Sequence, residues 1–175
     1  DQEQFVEDAL RQFEGPLIGY AMGFVHDLER ARDVVQDTFI RLYQQDREKV
    51  RHGLKTWLFT VCRNRALDVL RKDKRMVELE EDKAARIVSD STTPDEAADW
   101  DERVAQVMRS LERLSENQRE VIRLKFQQGL SYREISQATG LTTGNVGFLL
   151  HTGLKRLRAM LPDDLLEAGS SPNTR

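Results

Sequence analysis

The feature that most constrains this chain is the stretch 76–98, in which hydrophobic periodicity disappears between two blocks that both show helical periodicity. A single compact core does not run through a segment that lacks an apolar face. The stretch is acidic at Glu78, Glu80, Glu81 and Asp82, and residues 89–94 have the Ser/Thr/Pro composition of a loop. We therefore expect an all-α fold of two small helical domains, joined by a flexible acidic linker with no more than one helical turn at 81–87.

The distribution of charge supports this division. The net charge is +1 over residues 1–75, −8 over 76–102 and +4 over 103–175, and the total of −3 conceals the contrast. A pI of about 5.7 therefore does not argue against nucleic-acid binding, because the acidic linker lowers the average of two mildly basic blocks.

Several classes of protein are excluded at this stage. No apolar run reaches the ~18 residues that cross a bilayer, and no secretory leader opens the sequence, so we expect a cytoplasmic protein without membrane insertion. The lone Cys62 fits a reducing compartment and is expected to be a small buried hydrophobe. The three histidines are scattered, and no nucleotide loop or nucleophilic triad is present. We expect no enzyme activity, no metal and no cofactor; Asp33 and Asp37, four residues apart, lack a Glu-x-x-His partner.

The first block predicts helices throughout. One helix is expected to end at Gly15-Pro16 and a second to follow over 17–25. Asp27 is a suitable N-cap for a third helix, whose apolar face lies opposite a charged face. Residues 44–53 are polar and are expected to form a loop.

A long helix is predicted from Leu54 to Arg75, and seven cations crowd it. Aromatic, amide and cationic side chains on one helix suit single-stranded or melting DNA, since cations follow the backbone while rings stack on bases. The alternative places Trp57, Leu58, Val61 and Leu70 in a core and pairs Asp68 with Arg71 or Lys72. For Trp57 a position in the core is favoured over a contact with DNA. For Arg63, Arg71, Lys72 and Lys74 an anionic partner is favoured.

The last block predicts a helix from about Asp95 to Leu114, followed by capping boxes at Ser115/Gln118 and Ser131/Glu134. A short helix over 132–139, a turn at Gly140 and a final helix from 143 to about 161 have the spacing of a helix-turn-helix. An αα-hairpin that never contacts DNA is the alternative. On the second helix Asn145 suits base reading, Phe148 suits a thymine methyl or a protein partner, and Lys155, Arg156 and Arg158 suit phosphates.

Three stretches in this order, 31–43, 56–72 and 114–158, resemble an extracytoplasmic-function (ECF) sigma factor of the sigma-70 family of bacterial RNA polymerase. Ala31-Arg32-Asp33-Val34-Val35-Gln36-Asp37-Thr38-Phe39 is similar to region 2.2 of that family, and Asn64-Arg65-Ala66-Leu67-Asp68 is similar to regions 2.3–2.4. Gly129-Leu130-Ser131-Tyr132-Arg133-Glu134-Ile135 is similar to region 4. The resemblance implies region 2 over 1–75, a linker over 76–98, region 4 over 99–162 and a disordered tail over 163–175.

The resemblance also implies a role for individual residues. Recognition of the −10 element falls to Trp57, Arg63, Asn64, Arg65, Asp68, Arg71 and Lys72. Recognition of the −35 element falls to Arg133, Thr143, Asn145, Phe148, His151, Lys155, Arg156 and Arg158. Docking on the polymerase clamp falls to Asp33, Asp37, Phe39, Arg41 and Leu42. The implied partners are core RNA polymerase, promoter DNA and an anti-sigma factor.

The recognition helix departs from the pattern of the family. Gly147, Leu149, Thr152 and Leu154 stand where the family typically has Lys or Arg. The glycines at 147 and 153 also cost about 1 kcal/mol each relative to Ala in a helix. Either −35 recognition uses few contacts, or this surface binds a protein. A sigma-like adaptor that binds an anti-sigma factor or activator without reading −35 DNA is the alternative function.

Overall fold

The computed structural model describes residues 1–80 and 102–164, and within these ranges every regular element is a helix. The chain divides into two compact units. This confirms the all-α, two-domain prediction. The linker beyond residue 80, its helical turn at 81–87, the start of the helix predicted from Asp95 and the tail beyond 164 lie outside the described residues. No helix within the described ranges has the length and apolar character needed to cross a membrane.

The first unit is built from three long helices. Helix α1 spans Gln2–Val25, α2 spans Leu28–Tyr43 and α4 spans Leu54–Glu80, with a short α3 at Arg47–Val50 and a 3₁₀ turn at Arg51–Gly53. The long helices pack against one another. Their apolar faces meet in a core whose fully buried members include Leu17, Val34, Leu42, Leu58 and Phe59.

Helix α1 is continuous, which corrects the break predicted at Gly15-Pro16. Pro16 lies inside the helix on its exposed side, whereas Phe13, Leu17 and Tyr20 on the other side are buried. A proline in a helix interior costs about 3 kcal/mol because it removes a hydrogen bond. Burial of side chains both before and after Pro16 outweighs that cost, so packing rather than local preference decides the length of α1.

Two further boundaries differ from the sequence prediction. The stretch 44–53 is not a simple loop, since Asp46 caps α3 through a hydrogen bond from the Glu48 amide at 3.0 Å. Helix α4 does not end at Arg75 but continues to Glu80, although Met76, Val77 and Leu79 are exposed. Loss of an apolar face therefore marks where α4 leaves the core, and not where it stops being helical.

Cys62 is buried in the first unit, as the sequence predicted. Its Sγ lies 3.9 Å from the carbonyl oxygen of Leu17 on α1. Burial raises the pKa of the thiol to about 12, against a weaker lowering by the hydroxyl of Thr38. The thiol therefore stays protonated and unreactive at neutral pH and acts as a packing group.

The second unit contains helices α5 at Glu102–Glu112, α6 at Glu116–Ile122, α7 at Tyr132–Thr139 and α8 at Thr143–Met160. A π-helical turn, Arg123–Gln127, extends α6. Both predicted capping boxes are present, at Ser115/Gln118 and at Ser131/Glu134. The buried core of the unit includes Leu114, Val121, Leu124, Leu130, Ile135 and Val146.

Candidate nucleic-acid interface

Helix α4 has a buried side and an outward side that differ sharply in chemistry. The buried side is filled by side chains at spacings of one, three and four residues, namely Leu58, Phe59, Cys62 and Ala66. At 3.6 residues per turn, the positions opposite to them form one outward face. This face, called the α4 face below, consists of Trp57, Asn64, Asp68, Arg71 and Arg75.

The α4 face brings together most of the residues predicted for −10 recognition. Asn64 and Arg71 are exposed, whereas Trp57 and Asp68 are partly exposed. Trp57, for which a core position is favoured, is only partly buried, as are Val61 and Leu70, whereas Leu58 is fully buried. Asp68 accepts a hydrogen bond from Arg71 at 3.4 Å, which is the pairing offered by the sequence alternative. An exposed pair at that distance adds little stability, so both groups remain available to a ligand.

Arg65 is held differently from the other cations of α4. Its Nε donates to Oδ2 of Asp37 on α2 at 2.6 Å, and its side chain is 26% exposed. A second ion pair, between Arg30 of α2 and Asp73 of α4, joins the same two helices farther along. The structure thus pairs a residue predicted to bind DNA with one predicted to bind polymerase, and the pair fixes α4 on α2.

The residues predicted to dock on polymerase do not all reach the surface of α2. Asp33 and Arg41 are exposed, but Phe39 is 5% exposed and Leu42 is fully buried. Their burial gives Phe39 and Leu42 a packing role in place of the direct docking predicted for them. They hold α2 in place while its polar side meets solvent.

An apolar groove that the sequence did not predict lies between α1 and α2. The groove has a volume of about 460 Å³ and is lined by Leu10, Ile18, Phe39, Ile40 and Tyr43, with Glu14 and Arg32 also in its wall. Ile40 and Tyr43 are about half exposed. The sequence signal that could have predicted the groove is the pair of large side chains, Ile40 and Tyr43, beside the charged positions 33, 37 and 41.

The cationic end of α4 extends beyond the residues assigned to −10 recognition. Lys74 and Arg75 are exposed and follow Arg71 and Lys72. Lys74 is among the cations for which the sequence favours an anionic partner, and Arg75 is one of the seven cations predicted on this helix. The helical continuation to Glu80 is what keeps them on a regular surface.

The second unit contains a helix-turn-helix. Helix α7 ends at Gly140, whose φ of 78° is the left-handed conformation that glycine adopts without strain. The hydroxyl of Thr142 then caps α8 by accepting a hydrogen bond from the Asn145 amide at 3.1 Å. Val146, Leu150, Gly153 and Leu157 form the buried side of α8. The residues predicted for −35 recognition are all exposed: Arg133, Thr143, Asn145, Phe148, His151, Lys155, Arg156 and Arg158.

The two unusual glycines of α8 differ in their surroundings. A Cβ at Gly153 would lie 2.9 Å from Cδ1 of buried Ile122 and 3.3 Å from Cβ of Gln118, so glycine allows α6 and α8 to approach closely. A Cβ at Gly147 would lie 3.4 Å from the ring of Tyr132 on α7, which is an ordinary van der Waals contact. The loss of helix propensity therefore accompanies close packing at Gly153 but not at Gly147.

Substitution of Gly153 by Ala is expected to destabilise the second unit, whereas Gly144→Ala is not. Overpacking at residue 153 costs roughly 1–3 kcal/mol, which at least offsets and over most of that range exceeds the helix-propensity gain of about 1 kcal/mol. Gly144 has open space around its Cβ position, so the same substitution there brings only the gain. Thermal unfolding of both variants, followed by circular dichroism, checks this. A Tm for Gly153→Ala that rises as much as that of Gly144→Ala would contradict it.

A helix-turn-helix in one unit, and a helix with aromatic, amide and cationic groups in the other, are features of helical DNA-binding proteins. Comparison with known families gives the particular class. Residues 9–76 match the model "Sigma-70 region 2" and residues 105–157 match "Sigma-70, region 4". The ECF RNA polymerase sigma factor RpoE of Cereibacter sphaeroides is 30% identical over 90% of this chain and 86% of its own length. The ECF RNA polymerase sigma factor SigM of Bacillus subtilis is 24% identical over 89% of this chain and 94% of its own length.

The chain belongs to the extracytoplasmic-function sigma factors of the sigma-70 family. A solved structure is similar as well, that of the sigma factor RpoE from Bartonella quintana in complex with the anti-sigma factor NepR. It superposes with a TM-score of 0.66 at 25% identity, covering 88% of this chain and 94% of that one.

Proposed function

We propose that this chain joins core RNA polymerase as a non-enzymatic subunit that directs initiation to particular promoters, and that it acts in the cytoplasm. The α4 face carries this proposal, because it presents a ring, an amide, a carboxylate and cations along one side of one helix. Its position in the half of the chain that matches sigma-70 region 2 supports the same conclusion.

The α4 face suits the recognition of melted −10 DNA. Asn64 offers both a donor and an acceptor to an exposed base edge, and Asp68 offers acceptors. Trp57 supplies an aromatic surface, while Arg71 and Lys72 are exposed cations for the phosphates. Arg63 also belongs to the proposed DNA-binding set. Arg65 contributes through its ion pair with Asp37, which holds α4 on α2.

The exposed side of α2 is the proposed polymerase-docking surface. Asp33 and Arg41 contact the partner directly, and Asp37 does so in part, since its carboxylate is shared with Arg65. Because α2 and α4 are joined by this pair, docking and −10 recognition use one rigid body. The second unit would place the exposed side chains of α8 at the −35 element. By analogy with the Bartonella quintana complex, an anti-sigma factor is a further proposed partner.

Replacing Asn64 or Asp68 with Ala is expected to change −10 preference more than polymerase affinity. A base contact of this kind contributes about 1–3 kcal/mol, or roughly 5- to 150-fold in discrimination. Run-off transcription on a set of −10 variants, beside a core-binding titration, measures both effects. Asn117→Ala, an exposed Asn in the second unit, is the matched control. An equal loss of polymerase binding would contradict the assignment.

The proposed function as a whole is tested by adding the full chain to core polymerase on a promoter library. Initiation from a subset of promoters supports it. Tight binding to core polymerase without initiation on any template would overturn it. That outcome would favour the alternative, a sigma-like adaptor that binds an anti-sigma factor or activator without reading −35 DNA.

A further inference from the structure

The outward ridge of α8 is unusual for a helix that enters DNA. Opposite its buried residues lie Gly144, Phe148, His151 and Lys155, at successive spacings of four, three and four residues. Phe148 is 64% exposed and projects from the middle of this ridge. From Thr143 to Thr152 the helix contains no Lys, Arg, Asp or Glu. The part of α8 nearest its N-terminus therefore presents an uncharged surface with one large ring.

Gly144 lies one helical turn before Phe148, and apart from its chain neighbours and the adjacent helix backbone no atom comes within 4 Å of where its Cβ would be. A position without a side chain lets the helix backbone approach a ligand closely. The ring of Phe148 then becomes the first group on the ridge to meet the floor of a groove. Asn145, also exposed, lies to one side of it with a free amide group.

Exposed cations lie on both helices of the helix-turn-helix. Lys155, Arg156 and Arg158 follow the uncharged surface at the C-terminal end of α8, and Arg133 lies on α7. Cations on both helices together with an uncharged surface match duplex DNA, whose phosphates border an uncharged groove floor. A protein partner held by an aromatic ring gives no reason for cations on both helices, so the observations favour DNA.

We infer that this chain recognises its −35 element through thymine methyl groups contacted by Phe148, with Asn145 reading an adjacent adenine. The inference rests on the proposed function and specifies the chemistry of its −35 contacts. In the major groove the C5 methyl of thymine is the apolar group that Phe contacts, and the N6/N7 edge of adenine matches an amide. Specificity then depends on apolar contact rather than on Arg or Lys bound to guanine.

Deoxyuridine in place of thymine tests this, because it removes only the methyl group. The full chain with core polymerase first selects a promoter from a library randomised at −35. Each thymine of the selected −35 element is then replaced by deoxyuridine, and affinity is measured by fluorescence anisotropy. We expect about a fourfold loss at one or more positions, the value for one buried methyl group. In Phe148→Ala that loss should disappear.

Phe126→Ala is the matched control, since Phe126 is an equally exposed ring, 62% accessible, in the same unit but outside α8. This variant should keep the deoxyuridine sensitivity of the unchanged chain. The inference is overturned if deoxyuridine has no effect, or if its effect persists in Phe148→Ala. If Phe148→Ala alters binding at no −35 position, the ring belongs to a protein contact instead.

Failure of the inference is distinguishable from failure of the proposed function. Transcripts that depend on −10 sequence but not on −35 thymines would overturn the inference alone. Absence of transcripts from every member of the library would overturn both.

Discussion

Replacing Arg71, Lys72 and Lys74 together with Ala is expected to weaken promoter binding by the polymerase complex on the order of 100-fold. The three cations are exposed on one end of α4, next to Asn64 and Asp68, which are proposed to read bases. Much of the affinity for nucleic acid comes from counterions that such cations release from the phosphates. Polymerase affinity should change little, because the proposed docking surface lies on α2.

The salt dependence of binding gives a second readout of the same variant. Each lost phosphate contact reduces the slope of log affinity against log salt by about 0.7 for single strands and about 0.9 for duplex. Three lost contacts should therefore make the slope shallower by about 2 to 3. A fall in affinity without a change of slope would contradict phosphate binding by these residues.

The matched control replaces three other cations of the first unit, Arg11, Arg47 and Lys49, with Ala. They lie on α1 and α3 and carry the same total charge. If this control weakens binding as much as the α4 variant does, the effect comes from net charge alone, and the assignment of α4 as the −10 helix fails.

Replacing Phe59 with Ala is expected to lower the free energy of unfolding of the first unit by about 3–5 kcal/mol. The ring is fully buried, and its centroid lies 5.2 Å from that of Tyr20 on α1. Its removal leaves a cavity between α1 and α4 that the packed helices fill only in part. Hydrogen exchange of the amides of α4 measures the loss directly, without assuming that both units unfold together.

Leu79→Ala is the control for this substitution on the same helix. Leu79 is 77% exposed beyond the body of the unit, so its truncation should change stability by no more than about 0.5 kcal/mol. If the amides of α4 exchange faster by the same factor in both variants, helix propensity and not core packing stabilises α4.

Local signals in the sequence predicted the second unit well. The capping boxes at Ser115 and Ser131 and the turn at Gly140 depend on hydrogen bonds between residues at most a few positions apart. The inward positions Ile135, Val146 and Leu150 follow from helical periodicity alone. Such features need no knowledge of which helix packs against which.

In the first unit, local sequence signals predict the helix boundaries incorrectly. Pro16 is a strong local signal for a helix end, yet α1 continues through it because its neighbours are buried on α2 and α4. Likewise, the exposed Met76, Val77 and Leu79 signal a linker, while the helix persists to Glu80. The burial that carries α1 through Pro16 involves residues far away in the sequence, whereas residues 76–80 of α4 are all exposed, so the continuation of that helix is a local property.

The sequence by itself determined the fold class, the division into two helical domains and the family, because these depend on periodicity, capping and the order of motifs. Only the tertiary structure decided which side chains are available for function. Arg65 is paired with Asp37, which lies 28 positions earlier, and Leu42 is enclosed by other helices. Gly153 leaves room for the side chain of Ile122, which lies 31 positions before it. Charge and burial depend on neighbours in space, and the folded chain supplies those neighbours.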